Sequence, residues 1–455
     1  MSALWCHQED AVAFAMQREA TMWHMGMGTG KSRCAIELAK RLGAKRILIL
    51  CPLSVCSAWS DQLLKFGPNF IDINLRKGSV KVKARKAKEQ AVRAYALGEP
   101  IVVTVNYESA RNLPLAGWLE KQRFDLLVLD ESHRIKSPSG TTSRWVSRLA
   151  RTCKRKVALT GTPMPHSPLD IYAQFRALQP EAFGWSFIRF RRNYAVMGGW
   201  QGKQVQGYQN IDKMQERLAQ FTFQVDRSVL DLPPATHDRR VVELSPRAKK
   251  LYDDMDRDFT ASVLEGEVTA ANALVKLLRL QQLTSGRVTV DDGQKSTVVE
   301  VDDSKQRTLR SILTDLPDDE PVVVFGRFSS DLLSVHQAAK DLGRESLELS
   351  GKRRELEQWQ AGAAPILAVQ IQAGGTGIDL TRACYVVYLS VGHSLGDFEQ
   401  SIARVHRPGQ NRPVSYYHIV ARDTVDEKVY IALQQRKQIV ESVLDGIHSE
   451  TPTPQ

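Results

Sequence analysis

The chain has 455 residues, 42% hydrophobic and 25% charged, the balance of an ordinary globular protein of two or three domains. Its 62 Lys and Arg against 51 Asp and Glu leave a net charge of +11, which favours a polyanionic partner; an acidic membrane or simple solubility are the competing readings. No apolar run is long enough to cross a bilayer, and the first ten residues lack the basic-then-apolar order of a secretory signal. The six cysteines, at 6, 34, 51, 56, 153 and 384, stand singly, which predicts reduced cysteines and an intracellular setting.

In chain order, the first strong signal is Met25-Gly26-Met27-Gly28-Thr29-Gly30-Lys31-Ser32, followed by a helical stretch at 33–42. A glycine-rich turn opening a helix cradles phosphate, because backbone amides and the helix N-terminus point at the anion. Met25 occupies the first glycine position of the strict pattern, yet Gly28, Thr29 and Gly30 remain to approach a nucleotide, with Lys31 for its phosphates and Ser32 for Mg²⁺. Apolar runs at 46–51, 101–105, 125–129 and 156–160 predict buried strands alternating with helices, hence a parallel sheet. The third ends in Asp130-Glu131. A carboxylate there holds a hydrated metal, and its neighbour orients or deprotonates a water. His133 stands beside this pair, and the Thr160-Gly161-Thr162 turn closes the fourth strand.

Beyond 185 the pattern changes. Residues 185–195 are aromatic and basic, 210–224 look helical, and Asp231-Leu232-Pro233-Pro234 reads as a boundary. A helical insertion at about 246–285 precedes a hairpin turning at Asp291-Asp292-Gly293. A second α/β series follows, with a helix at 304–316, strands at 322–325, 366–369, 385–389 and 414–420, and a helix carrying Val425, Val429, Leu433, Val440 and Leu444. The expected organisation is a first lobe at 1–230 with a protrusion from about 185, a linker, insertion and hairpin at 231–300, a second lobe at 301–446, and a loose tail at 447–455.

As an ordered set these motifs resemble the SNF2-like branch of superfamily 2 helicases, over roughly residues 3–446. The matching segments are LWCHQEDAVAF, MGMGTGKS, LCPLSVCSAWSDQL, DESH, LTGTPMPHSPLDIYAQF, VVVFGRFSSDL, QAGGTGIDLT and QSIARVHRPGQ. Residues 168–195 are also similar to annealing-helicase-like members. The resemblance implies an α/β fold of two tandem RecA-like P-loop lobes with helical insertions between them, using ATP and Mg²⁺. It implies Gln8 as the adenine reader, Arg404 and Arg407 as arginine fingers, and His133, Thr160, Gly161, Thr162, Gln400 and Gln410 as coupling residues. Three departures stand out: Met25-Gly26 before the phosphate loop, Ser132 in place of alanine in the acidic motif, and Ser390 with Gly392-His393-Ser394 after the QAGGTGIDLT segment of the second lobe.

The same resemblance implies a DNA groove with backbone contacts near Thr104, Ser137, Gly351, Gly375 and Thr376. Residues 76–88 hold seven Lys or Arg and no acid, so Lys81, Lys83, Arg85 and Lys86 are candidate phosphate contacts; Arg191 and Arg192 are others. Each patch has a bland alternative, a solvated helix face or, for Phe190 and Tyr194, packing. The expected activity is a DNA-dependent ATPase that translocates on double-stranded or branched DNA and remodels or reanneals it. A strand-separating helicase and a catalytically weak nucleic-acid scaffold stay open. The expected setting is cytoplasm or nucleoid, with a virus-encoded protein acting in a host cell as a further option.

Overall fold

A computed structural model of the chain describes residues 3–199, 202, 204–264, 270–291, 296–372 and 378–444. It divides into two compact units, Met1–Leu230 with Arg436–Gln455 and Asp231–Gln435. Among the described residues no helix is long and apolar enough to cross a membrane.

The first unit is built on seven strands: β1 (Ala20–Met25), β2 (Arg46–Cys51), β3 (Ile71–Asn74), β4 (Ile101–Asn106), β5 (Leu126–Asp130), β6 (Arg155–Thr160) and, after a hairpin of β7 (Ala195–Gly198) and β8 (Gln204–Tyr208), β9 (Thr222–Val225). Their order is β3-β4-β2-β5-β6-β1-β9, parallel at every pairing. The central strands are apolar along most of their length because helices cover both faces. Leu48, Leu50, Leu127 and Leu129 join one core, and the alternate Ile47, Ile49, Leu126 and Val128 join the other.

The second unit repeats the plan. Strands β10 (Ala235–Val242), β13 (Val322–Gly326), β14 (Ser346–Leu349), β15 (Ile366–Gln370), β16 (Tyr385–Tyr388) and β17 (Val414–Ala421) form a parallel sheet in the order β10-β17-β16-β13-β15-β14. A separate hairpin pairs β11 (Arg287–Asp291) with β12 (Ser296–Glu300); most of its expected turn lies outside the described residues. Val323, Phe325, Leu367 and Val369 pack on one face, while Val322, Val324, Ile366 and Ala368 pack on the other. Each unit is a RecA-like α/β lobe.

Seven strands, β1, β3, β7, β8, β9, β10 and β14, go beyond the sequence expectation. Strand β1 (ATMWHM) and the short β3 lack a strong β-branched run, and β9 occupies the end of a stretch read as wholly helical, whose helix stops at Ala219. Strand β10 is an edge strand exposed along most of its length, so it carries no apolar alternation, and it lies in the segment expected to be linker. The aromatic segment near 190 turns inward. Phe190 and Tyr194 are buried with Tyr172 and Phe183, at ring-centroid separations of 4.9 to 5.9 Å.

Two buried polar groups tie the second unit together. The Lys305 ammonium sits 2.5 Å from the Asp426 carboxylate and donates to the Leu389 carbonyl at 2.8 Å. Asp426 also accepts from Thr284 Oγ1 at 2.9 Å. Truncating one partner of such a pair leaves an uncompensated buried charge, so Lys305→Met is expected to cost about 3–5 kcal/mol in a urea melt of this unit. The His418 ring lies parallel to Tyr388 with centroids 5.1 Å apart, and its nitrogens contact His237 at 3.0 Å and Tyr430 Oη at 3.1 Å. Burial first, then His237 and Arg239, lowers its pKa from 6.5 to about 4. The unfolded chain therefore binds this proton more readily, and the stabilisation present above pH 6.5 is lost as pH falls towards 4. Between pH 7 and pH 5 the loss is about 2 kcal/mol. His418→Phe should flatten that part of the stability profile.

Candidate nucleotide site

Strand β1 ends at Met25, and the chain turns through the glycine loop into the helix Lys31–Arg41. Gly28 and Gly30 adopt φ of +89° and +91°, a region where a side chain is strained. At Gly30 an added Cβ would also collide with the Gln8 amide. The loop is braced from within. Thr29 Oγ1 donates to the Gly26 carbonyl at 2.7 Å, and the Lys31 ammonium donates to the carbonyls of Met25 and Gly26 at 2.8 and 3.1 Å. Ser32 is half-buried in the first turn of the helix.

Gln8, expected to read adenine, is buried against this loop. Its Nε2 donates to the Thr29 carbonyl at 3.0 Å, its Oε1 accepts from the Trp5 amide at 3.2 Å, and His7 Nε2 donates to the same Thr29 carbonyl at 2.9 Å. In this arrangement Gln8 shapes the phosphate loop.

Strand β5 delivers Asp130 to the sheet's C-terminal edge. One carboxylate oxygen accepts from the Trp59 indole N–H at 2.8 Å and the other from the Glu131 amide at 3.0 Å; the Asp130 carbonyl accepts from Tyr107 Oη at 2.8 Å. Burial, then the neighbouring Glu131, pushes the carboxyl up to about 7, while the Trp59 bond and the Lys31 charge pull the other way. A buried carboxylate with its charge so disfavoured, aimed by an indole, suits a divalent cation. Asp130 and the Ser32 hydroxyl would supply oxygen ligands of the kind Mg²⁺ takes.

Glu131 sits in left-handed backbone at φ +50°, and its Oε2 lies 3.3 Å from His133 Nδ1. At the end of β6, Thr160 Oγ1 accepts from the Thr162 amide at 3.1 Å, and the Gly161 carbonyl contacts His24 Nε2 at 3.2 Å. A Cβ on Gly161 would stand 3.9 Å from the Lys31 ammonium. The phosphate loop, the acidic pair and the threonine turn thus meet at one edge of the first sheet.

Arg404 and Arg407 belong to the second unit, at the end of the helix Leu395–Val405. Arg407 donates to the Ile378 carbonyl at 3.3 Å. Gln400 and Gln410 are buried, and Gln410 Nε2 donates to the carbonyls of Ala383 and Thr381 at 2.8 and 3.1 Å, so it pins the loop after the helix. Ser390 replaces an expected acid, yet its hydroxyl donates to the buried Asp331 carboxylate, which also accepts from the amides of Arg327 and Phe328 at 2.9 Å. The acidic group at this strand end comes from the helix Ser329–Asp341.

The candidate DNA contacts separate. Lys81, Arg85 and Lys86 are exposed on the helix Val80–Ala96, while Lys83 is buried, donating to Asn106 Oδ1 at 3.1 Å and Ser109 Oγ at 2.8 Å. Lys83 is therefore corrected from phosphate contact to internal peg; position 83 falls on the helix face packed against the sheet. Thr104 is corrected as well, because it lies within β4, buried along its whole length. Ser137, Arg192 and Gly351 are exposed, Arg191 is half-buried, and Gly375 and Thr376 lie outside the described residues.

Trp59, Tyr107 and Gln174 are polar members of this edge that sequence reasoning missed. Trp59 lies inside a recognised motif, and its one signal was an indole N–H on an apolar helix face that needs an acceptor. Losing a hydrogen bond that orients a metal-binding carboxylate typically costs about tenfold or more in affinity. Trp59→Phe is accordingly expected to weaken Mg²⁺-dependent ATP binding about tenfold in a fluorescent-nucleotide titration, with little change in Mg²⁺-independent binding.

The SNF2-related domain model matches residues 7–288, and the helicase conserved C-terminal domain model matches residues 304–409. Protein p41 of Acyrthosiphon pisum secondary endosymbiont phage 1 is 27% identical over 458 residues, covering 94% of this chain and 95% of that protein. The human DNA annealing helicase and endonuclease ZRANB3 is 24% identical over 459 residues, covering 96% of this chain but 40% of its own length. Among solved structures, the Sulfolobus solfataricus SWI2/SNF2 ATPase core in complex with dsDNA aligns over 99% of this chain and 96% of its own, with 21% identity and a TM-score of 0.44. The chain belongs to the SNF2-related family of ATP-hydrolysing, DNA-acting enzymes within the helicase superfamily.

Proposed function

We propose that the protein is a DNA-stimulated ATPase that tracks along duplex or branched DNA and uses that motion to remodel or reanneal it. The observation carrying this reading is the convergence of Lys31, Asp130, Glu131 and Gly161 at one sheet edge in a chain of this family. Lys31 and the loop amides bind the ATP phosphates. Ser32 and Asp130 are the residues that would hold Mg²⁺, which when bound neutralises phosphate charge. Glu131 orients and deprotonates the attacking water, helped by its contact with His133. Arg404 and Arg407 offset charge that develops on the phosphoryl group during turnover.

DNA is engaged through its backbone. Arg76, Lys77, Lys81, Arg85, Lys86 and Lys88 are exposed in and just before one helix, and such a row neutralises phosphates without reading bases. The 24% identity to an annealing helicase supports reannealing as the output.

ATPase assays with duplex, forked and single-stranded DNA and RNA at matched ionic strength test the substrate, and triplex displacement against strand displacement tests the output. Duplex or forked DNA should stimulate most, with triplex displaced and strands left unseparated. Glu131→Gln should lower kcat about 100-fold or more with ATP binding retained, and Arg407→Ala should lower it about 1000-fold. Full turnover in both variants overturns the site; efficient strand separation without triplex displacement overturns duplex tracking.

A further inference from the structure

The serine that replaces alanine in the acidic motif has a partner. Ser132 is fully buried, directly after the strained Glu131 and directly before His133. Its hydroxyl donates to Gln174 Oε1 at 2.7 Å. Gln174 is fully buried on the helix Ile171–Leu178, and its Nε2 donates to the Pro163 carbonyl at 2.6 Å and to the Asp170 carbonyl at 3.0 Å. Pro163 follows the Thr160-Gly161-Thr162 turn immediately. The segment between is held as well, since Asp170 Oδ2 accepts from the amides of His166 and Ser167 at 2.8 and 3.3 Å. One buried amide therefore bridges the turn carrying Glu131 and the exit of the threonine turn.

We propose that Ser132 and Gln174 act as a positioning pair that fixes Glu131 relative to the Thr160-Gly161-Thr162 turn, so that hydrolysis, more than nucleotide binding, depends on their bond. Three arguments carry it. A non-glycine residue at φ +50° persists only where its surroundings hold it, and Ser132 is the adjacent anchor. A buried amide is costly unless satisfied, and Gln174 has partners for both its oxygen and its nitrogen. Neither side chain is placed to touch nucleotide, so the pair acts through backbone. The proposal rests on Glu131 being the water-activating group.

The test uses Ser132→Ala, Gln174→Leu and the double variant Ser132→Ala/Gln174→Leu in the full chain, read by kcat, KM for ATP and thermal midpoint. Ser132→Ala leaves the Gln174 oxygen unpaired, and Gln174→Leu leaves the Ser132 hydroxyl and the Pro163 carbonyl without their partner; the double variant relieves the hydroxyl but not the carbonyl, so it regains part of the stability. The expected result is that the double variant melts above Gln174→Leu and keeps KM for ATP within about twofold, yet its DNA-stimulated kcat, read below its melting transition, stays about tenfold down. A double variant with wild-type kcat overturns the proposal and leaves the pair as packing; so does one whose loss lies in KM. If the double variant does not fold, the single variants at a temperature below both melting transitions decide on the same kcat and KM split. Glu131→Gln is run alongside. Full turnover in that variant sinks the catalytic reading itself, whereas its loss beside normal Ser132 and Gln174 variants sinks only the positioning pair.

Discussion

A parallel sheet covered on both faces can present its functional groups only where the strands stop. In the first unit β2, β4 and β5 are buried along nearly their whole length, and their alternate residues are consumed by the two cores. The segments of the candidate nucleotide site therefore sit at or after strand ends: the glycine loop after β1, Asp130-Glu131 at the end of β5, and the threonine turn at the end of β6. The strand order places β1, β6 and β5 side by side, so three segments far apart in the chain become neighbours. Asp130 shows the cost of this geometry. Its carboxyl is fully enclosed, and the Trp59 indole and Glu131 amide are what make its charged form tolerable.

Much of this was legible in the sequence, for physical reasons that can be named. Strands such as RILILC and DLLVL are continuous apolar runs because both faces are covered, and the phosphate loop declares itself through glycines that a left-handed turn needs. Motif order then distinguished a two-lobed motor from a generic phosphate-binding fold. What stayed hidden was set by tertiary contacts. Strand β10 is added to the second sheet by pairing with β17, which no local pattern announces. Gln8 is turned onto the Thr29 carbonyl, a contact that depends on where the first helix docks. Lys83 looked like a surface cation and Thr104 was expected near a DNA-contacting loop from the resemblance, and both proved to be interior by position. Ser390 read as a lost acid, and only the fold shows its hydroxyl bonded to the buried Asp331 carboxylate.

The departures from the family pattern also gain physical content. Ser132 is part of a polar bridge in the core, and a half-satisfied version of that bridge would be worse than an apolar one. The pairing of a serine with a glutamine 42 residues away is thus a joint choice: either side chain alone would be a liability.

Lys83 has a consequence that reaches the surface. Because its ammonium reaches inward to Asn106 and Ser109, it acts as a key in a slot, setting the roll of the helix Val80–Ala96 about its own axis. Burial lowers its pKa, so this inward charge is held at some expense. With that angle set, the 3.6-residue repeat decides which way every other cation on the helix points. One positive charge withdrawn from the patch thereby fixes the compass bearing of those that remain outside.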